Sequence, residues 1–207
     1  MSDNQRERII NRALSMYIDQ GVKSVRMDDI ARDLHISKRT IYEIFGDKEE
    51  LLYQSIMAYI EKMTIEMDNV GEQAPNILIS ILMVSKYITQ NSEKTWRLRR
   101  SLREYYPKIH ERINAIDNKE RLRIFRERLL TGVEQGLISS VMGVDILISI
   151  MHYVCTAIVE QDDRFVIPEG LTREQAFSST QITILRGVST PKGMEVIDEY
   201  LKENIKI

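Results

Sequence analysis

Residues 21–52 read GVKSVRMDDIARDLHISKRTIYEIFGDKEELL. The stretch contains two very short helical segments, Met27 to Leu34 and Lys38 to Ile44, separated only by His35, Ile36 and Ser37. Helices of this length are marginal alone and need each other. Ala31 is small where the two must approach, Ile30 and Leu34 supply an inward face, and Ile36 fills the turn. Ser37 is a good N-cap for the second segment. It leaves Lys38, Arg39 and Thr40 on a first turn where backbone N–H groups and cationic side chains both favour phosphate. Tyr42 follows one turn on, as a groove contact or as a packing residue, while Ile41, Ile44 and Phe45 hold the segment against its neighbours. These are the pieces of a helix-turn-helix, whose second helix enters the major groove while the first crosses the backbone.

Outward from this stretch the apolar residues recur at three- and four-residue steps, which predicts an all-α protein. From Gln5 to Gln20, Ile9, Ile10, Ala13, Leu14 and Tyr17 form one face of a first helix that Gly21 can stop. Asp47 is placed to cap a long helix whose stripe runs Leu52, Ile56, Tyr59, Ile60, Met63, Met67. After a break at Gly71 to Pro75 come helices over Asn76 to Gln90 and Glu93 to Tyr106. Pro107 ends the latter and opens the next, which runs toward Gly136. Two further helices, Val144 to Gln161 and Thr172 to Val188, flank a loop at 162–170. Thr190 and Pro191 open a short terminal helix through Tyr200 and Leu201.

Composition sets outer bounds. The chain has 207 residues, 43% hydrophobic and 29% charged, a balance that buries a real core. It has no apolar run approaching the ~20 residues of a membrane span, so no membrane partner is expected. One cysteine, Cys155, forms no internal disulfide, and the start lacks an apolar secretory segment; both fit a reducing cytoplasm. The net charge of −2 gives no global attraction to polyanions, and residues 1–50 hold nine Lys/Arg against ten Asp/Glu. Any nucleic-acid contact must therefore be local. The motif places Lys23, Arg26, Lys38, Arg39 and Lys48 around one edge, with Asp28, Asp29, Glu49 and Glu50 in first helical turns that favour acids.

Gly21, Asp29-Ile30-Ala31, Ile36-Ser37-Lys38, Thr40-Ile41-Tyr42, Phe45 and Lys48-Glu49-Glu50-Leu51-Leu52 together resemble the TetR family of transcriptional regulators. The resemblance covers roughly the first quarter of the chain as an ordered series of motifs. It implies a three-helix helix-turn-helix DNA-binding domain over residues 1–46. A larger helical ligand-binding and dimerisation domain over 47–207 follows, entered by a linking helix at 47–67. It implies contacts to an operator duplex by Arg26, Ser37, Lys38, Arg39, Thr40, Tyr42 and Lys48. The implied function is a homodimeric repressor that binds a palindrome and is released by a small-molecule effector. Members often have glycine where His35 stands, a hydroxyl residue at Arg26 and a small residue at Arg39; Glu43 either accepts from a cytosine amino group or turns away.

The remaining candidates are less specific. The Val144 to Gln161 helix is apolar nearly all round, so its second side is expected to pair with a partner copy through Ile146, Ile150, Val154 and Ile158, joined by Phe177, Ile184 and Leu185. The alternative is one large monomeric core. Met57, Met83, Tyr87, Trp96, Tyr105, Phe125, Met151, His152 and Cys155 are candidates for an effector pocket, against ordinary core packing. His152 and Cys155 sit i, i+3 but supply too few ligands for a metal, so neither metal nor cofactor is expected. The basic run from Lys94 to Lys108 reads as a solvated face paired locally, as Arg100 with Glu104. No catalytic signature is present, and no enzyme activity is expected. The alternative is an all-helical enzyme with a spatially assembled site, or a partner-binding module with a vestigial helix-turn-helix.

Overall fold

The computed structural model describes residues 3–141, 143–160 and 165–204. The described residues form ten helices: α1 (Asp3–Gln20), α2 (Met27–Leu34), α3 (Lys38–Phe45), α4 (Lys48–Glu72), α5 (Ile77–Gln90), α6 (Ser92–Tyr105), α7 (Pro107–Glu134), α8 (Val144–Glu160), α9 (Arg173–Val188) and α10 (Pro191–Asn204). The all-α expectation holds. The differences lie at helix ends: α4 runs five residues past Met67 to Glu72, and α10 continues past Leu201 to Asn204. The expected end of α8 at Gln161 and the start of the following loop at Asp162 lie outside the described residues.

The chain divides into two compact units. The first comprises the residues through Ile65 together with Lys94–Asp117, the second Glu66–Glu93 with the residues from Asn118 onward. Thus α4 and α7 each begin in the first unit and end in the second. The first core gathers Ile9, Ala13 and Tyr17 of α1, Ile30 and Leu34 of α2, Ile41 and Phe45 of α3, and Leu51, Leu52 and Ile56 of α4. Leu98 and Leu102 of α6 and Ile109 and Ile113 of α7 also belong to it. Each fully buried aliphatic side chain contributes about 1.5–3 kcal/mol.

Local chemistry explains the sharp turns of this unit. Gly21 ends α1 at φ 86°, donating to the Tyr17 carbonyl at 3.0 Å. His35 ends α2 at φ 54°, and the amides of His35 and Ile36 return to the carbonyls of Arg32 (3.2 Å) and Ala31 (3.0 Å). That is a Schellman closure with histidine where glycine is usual. The Ser37 hydroxyl accepts from the Thr40 amide at 3.0 Å and starts α3, and Asp47 Oδ1 accepts from the Glu50 amide at 2.8 Å and starts α4.

The second unit packs Leu78, Leu82, Leu129, Leu147, Met151, Leu185 and Ile197, among others. Asn76 caps α5, Thr172 and Gln175 form a reciprocal capping box on α9, and the Thr190 hydroxyl accepts from the Gly193 amide at 3.1 Å to start α10. A short bridge joins the turn after α7 to the turn after α9, with Ser139 donating to the Val188 carbonyl at 2.8 Å and Thr190 to that of Leu137 at 3.0 Å.

Candidate nucleic-acid interface

Helix α3 turns Ile41 and Phe45 into the core and leaves Ser37, Lys38, Arg39 and Tyr42 at the surface, with Thr40 half-buried. This follows from eight residues with apolar positions at one face only. The polar groups are already engaged with one another. Lys38 Nζ donates to Asp28 Oδ2 at 2.9 Å, and Arg39 Nε donates to Glu43 Oε1 at 2.7 Å, one turn along the same helix. The Asp28 carboxylate raises the Lys38 pKa above its ordinary value, chiefly through that hydrogen bond. Lys38 Nζ also lies 5.9 Å from the centre of the Tyr42 ring, and the hydroxyls of Ser37 and Thr40 are 2.8 Å apart.

The other expected contact residues stand at the margin. Arg26 is exposed in extended conformation before α2, its backbone amide donating to Asp29 Oδ2 at 3.0 Å. Lys48 is half-buried: its ammonium donates to the Val22 carbonyl at 2.8 Å and faces the Tyr106 ring at 5.5 Å. Its first role is therefore to tie the turn after α1 to the start of α4. Lys23 lies over Tyr105 at 4.6 Å. Two residues of the basic run after Lys94 differ from a locally paired solvated face. Arg97 donates to the Ile18 carbonyl at 2.9 Å, and Arg99 forms an ion pair with the buried Asp117 at 2.5 Å and a hydrogen bond to Asn114.

Several partners escape a reading of the sequence. Asp28 and Lys38 are ten residues apart and meet only because the turn folds α2 back on α3. Arg112 reaches Glu50 at 3.0 Å and stacks 3.5 Å from the centre of the Tyr53 ring, across 62 residues of sequence in the first case. The Arg39–Glu43 pair, by contrast, carries a sequence signal in its i, i+4 spacing.

The pocket candidates divide between the units. Met57, Trp96 and Tyr105 belong to the first, and Met83, Tyr87, Phe125, Met151, His152 and Cys155 to the second. Met151 is core, Met83 and Phe125 pack against that core, and Tyr87 donates a short hydrogen bond to Glu66. Of the residues expected to pair two copies, Ile158, Phe177 and Leu185 are buried within their own chain, at 1%, 4% and 0% exposure. Val154 and Ile184 are half-buried. Ile146 and Ile150 are exposed, and Tyr153, on the same face, joins them. Among the described residues no group of three or more His, Cys, Asp or Glu is arranged to hold a metal ion, and no helix is long and apolar enough to cross a membrane.

Residues 9–54 match the family model of bacterial regulatory proteins, tetR family. No curated protein matches the chain in sequence. Among solved structures, a transcriptional regulator from Cytophaga hutchinsonii is similar at TM-score 0.71 and 16% identity over 91% of this chain and 100% of that one. The fatty acid degradation regulator FadR from Bacillus halodurans is similar at 0.66 and 16%, over 90% and 97%. RolR in complex with resorcinol is similar at 0.62 and 20%, over 95% and 92%. The chain therefore carries a TetR-family N-terminal domain and has the fold of the family's transcriptional regulators, a helix-turn-helix domain followed by a helical C-terminal domain.

Proposed function

We propose that this protein is a cytoplasmic, homodimeric repressor that reads a palindromic operator with α3 and leaves it when a small molecule binds the C-terminal domain. The observation that carries the reading is the surface of α3. Its first turn presents Ser37, Lys38, Arg39 and Thr40, and Tyr42 stands 41% exposed one turn later, while Ile41 and Phe45 anchor the helix from behind. Cations with backbone N–H groups at a helix start suit phosphate, and the exposed side chains beyond them suit base edges. We take residues 1–46 as the DNA-binding domain and 47–207 as the ligand-binding and dimerisation domain.

Two copies are required because a palindrome is read by two recognition helices about 34–36 Å apart. Ile146, Ile150 and Tyr153 on α8 supply an exposed apolar face for that pairing. A small-molecule trigger is supported by the similar RolR fold, solved with resorcinol. Effector binding in the second unit acts on the first through α4 and α7, which are continuous from one to the other. The effector shifts the equilibrium only by its differential affinity for the two states.

Fluorescence anisotropy with duplexes from the DNA flanking its own gene, over a salt series and against a nonspecific competitor, tests the reading. Saturable binding of two protomers per site to one fragment, weakening steeply with salt, is the expected result. Uniformly weak binding to every fragment would overturn it.

A further inference from the structure

The surface of α3 carries its own counter-charges. Asp28 and Glu43 hold the two leading cations at 2.9 and 2.7 Å, and their side chains are 52% and 47% exposed, on the same outer surface as Lys38 and Arg39. A carboxylate offers an ammonium or guanidinium the same charge-assisted oxygen acceptor that a phosphate does. We propose that Asp28 and Glu43 act as internal phosphate mimics, which any duplex must displace before Lys38 and Arg39 can engage its backbone. This rests on the reading of α3 as the DNA-binding helix and deepens it.

The consequence is an affinity held low by design of the surface. Binding to arbitrary DNA is almost wholly electrostatic, and here the first two cations are neutralised in advance. Residues 1–50 supply no excess of positive charge to make up the difference, with nine Lys/Arg against ten Asp/Glu. A low ceiling also makes release easy. Effectors typically change affinity by about 5- to 150-fold, and such a factor empties an operator only when binding is not far tighter than the working concentration of the protein.

The test is anisotropy of the full chain on a random-sequence duplex at about 50 mM salt, where electrostatic terms are largest. The variants are Asp28→Asn, Glu43→Gln, the double variant and Lys38→Ala. Each acid-to-amide change is expected to tighten binding by about three-fold or more and the pair by about ten-fold, the range set by exposed ion pairs. The gain should shrink as salt rises. Unchanged or weaker binding by Glu43→Gln and the double variant, with Lys38→Ala weakening the wild-type complex, would overturn the mimicry and leave α3 as the DNA helix. No binding by any form, or none of it sensitive to Lys38→Ala, would overturn the DNA reading and the mimicry with it. Glu43→Gln lies on an exposed helical face, so it decides the matter even if Asp28→Asn loosens the start of α2.

Discussion

Tyr17 is 1% exposed in the first core, and its hydroxyl has no hydrogen-bond partner among the described residues. Burial raises its pKa well above the usual phenol value, so the group stays neutral. A neutral buried hydroxyl without a partner still carries its desolvation penalty, about 1–3 kcal/mol. Tyr17→Phe is therefore expected to raise unfolding free energy by about 1 kcal/mol in urea denaturation, and a loss of stability would show the hydroxyl to be satisfied. Cys155, half-buried, is a second group with a readable consequence. Burial pushes its thiol up to about 11, against a smaller lowering by the Gln181 amide, which donates to Sγ at 3.8 Å. A raised thiol pKa leaves little thiolate at neutral pH and more only as the pH climbs toward 11. Alkylation at about pH 8 should be at least ten-fold slower in the folded protein than in urea; equal rates would contradict this. At this scale Ser37 and Asp47 were legible, because caps depend on near neighbours, and His35 stood out only as the residue where the resembled family often has glycine. The Val22 carbonyl that holds Lys48 was not, being 26 residues away.

Gly193 shows what one element demands of another. A Cβ built there would overlap the Leu137 carbonyl, so α10 lies against the turn after α7 with only a hydrogen between them. The obstruction is backbone and cannot swing aside. Gly193→Ala should destabilise the protein by about 1–3 kcal/mol in urea or thermal unfolding, and a neutral result would show that the turn can retreat. Arg99 makes the same point for α6 and α7. It pairs with Asp117, whose side chain is 3% exposed, and removing one partner of a buried ion pair leaves a charge in a poor solvent. Arg99→Leu should lower stability by about 3 kcal/mol, and adding Asp117→Asn should recover part of it. An additive further loss in the double variant would argue against the pairing. Helix existence was legible throughout, because caps and prolines are local marks. Which helix Arg99 would face was not, since a basic run on one helix looks the same solvated or paired across an interface.

For the whole molecule the decisive surface is α8. Leu147, Ile148, Met151 and Ile158 are buried in their own chain, while Ile146, Ile150 and Tyr153 are exposed at 62%, 47% and 57%. Ile146→Glu with Ile150→Glu is expected to convert the proposed dimer to monomer in sedimentation velocity and to weaken operator binding at least ten-fold. Its unfolding midpoint at low protein concentration should hold, because exposed apolar groups contribute little to a monomer's stability. A variant that stays dimeric would move the interface elsewhere. The amino-acid sequence by itself determined the all-α fold, the helix-turn-helix and the residues on the exposed turn of α3. Those follow from apolar period and capping, which act over one or two helical turns. Only the tertiary structure decided which apolar residues of α8 and α9 serve the chain's own core. It alone showed that α6 from Lys94 onward and the start of α7 join the first unit, and that Lys38 and Lys48 already have acceptors. These depend on which distant segments meet, and burial and charge pairing across such distances leave no periodic trace along the chain.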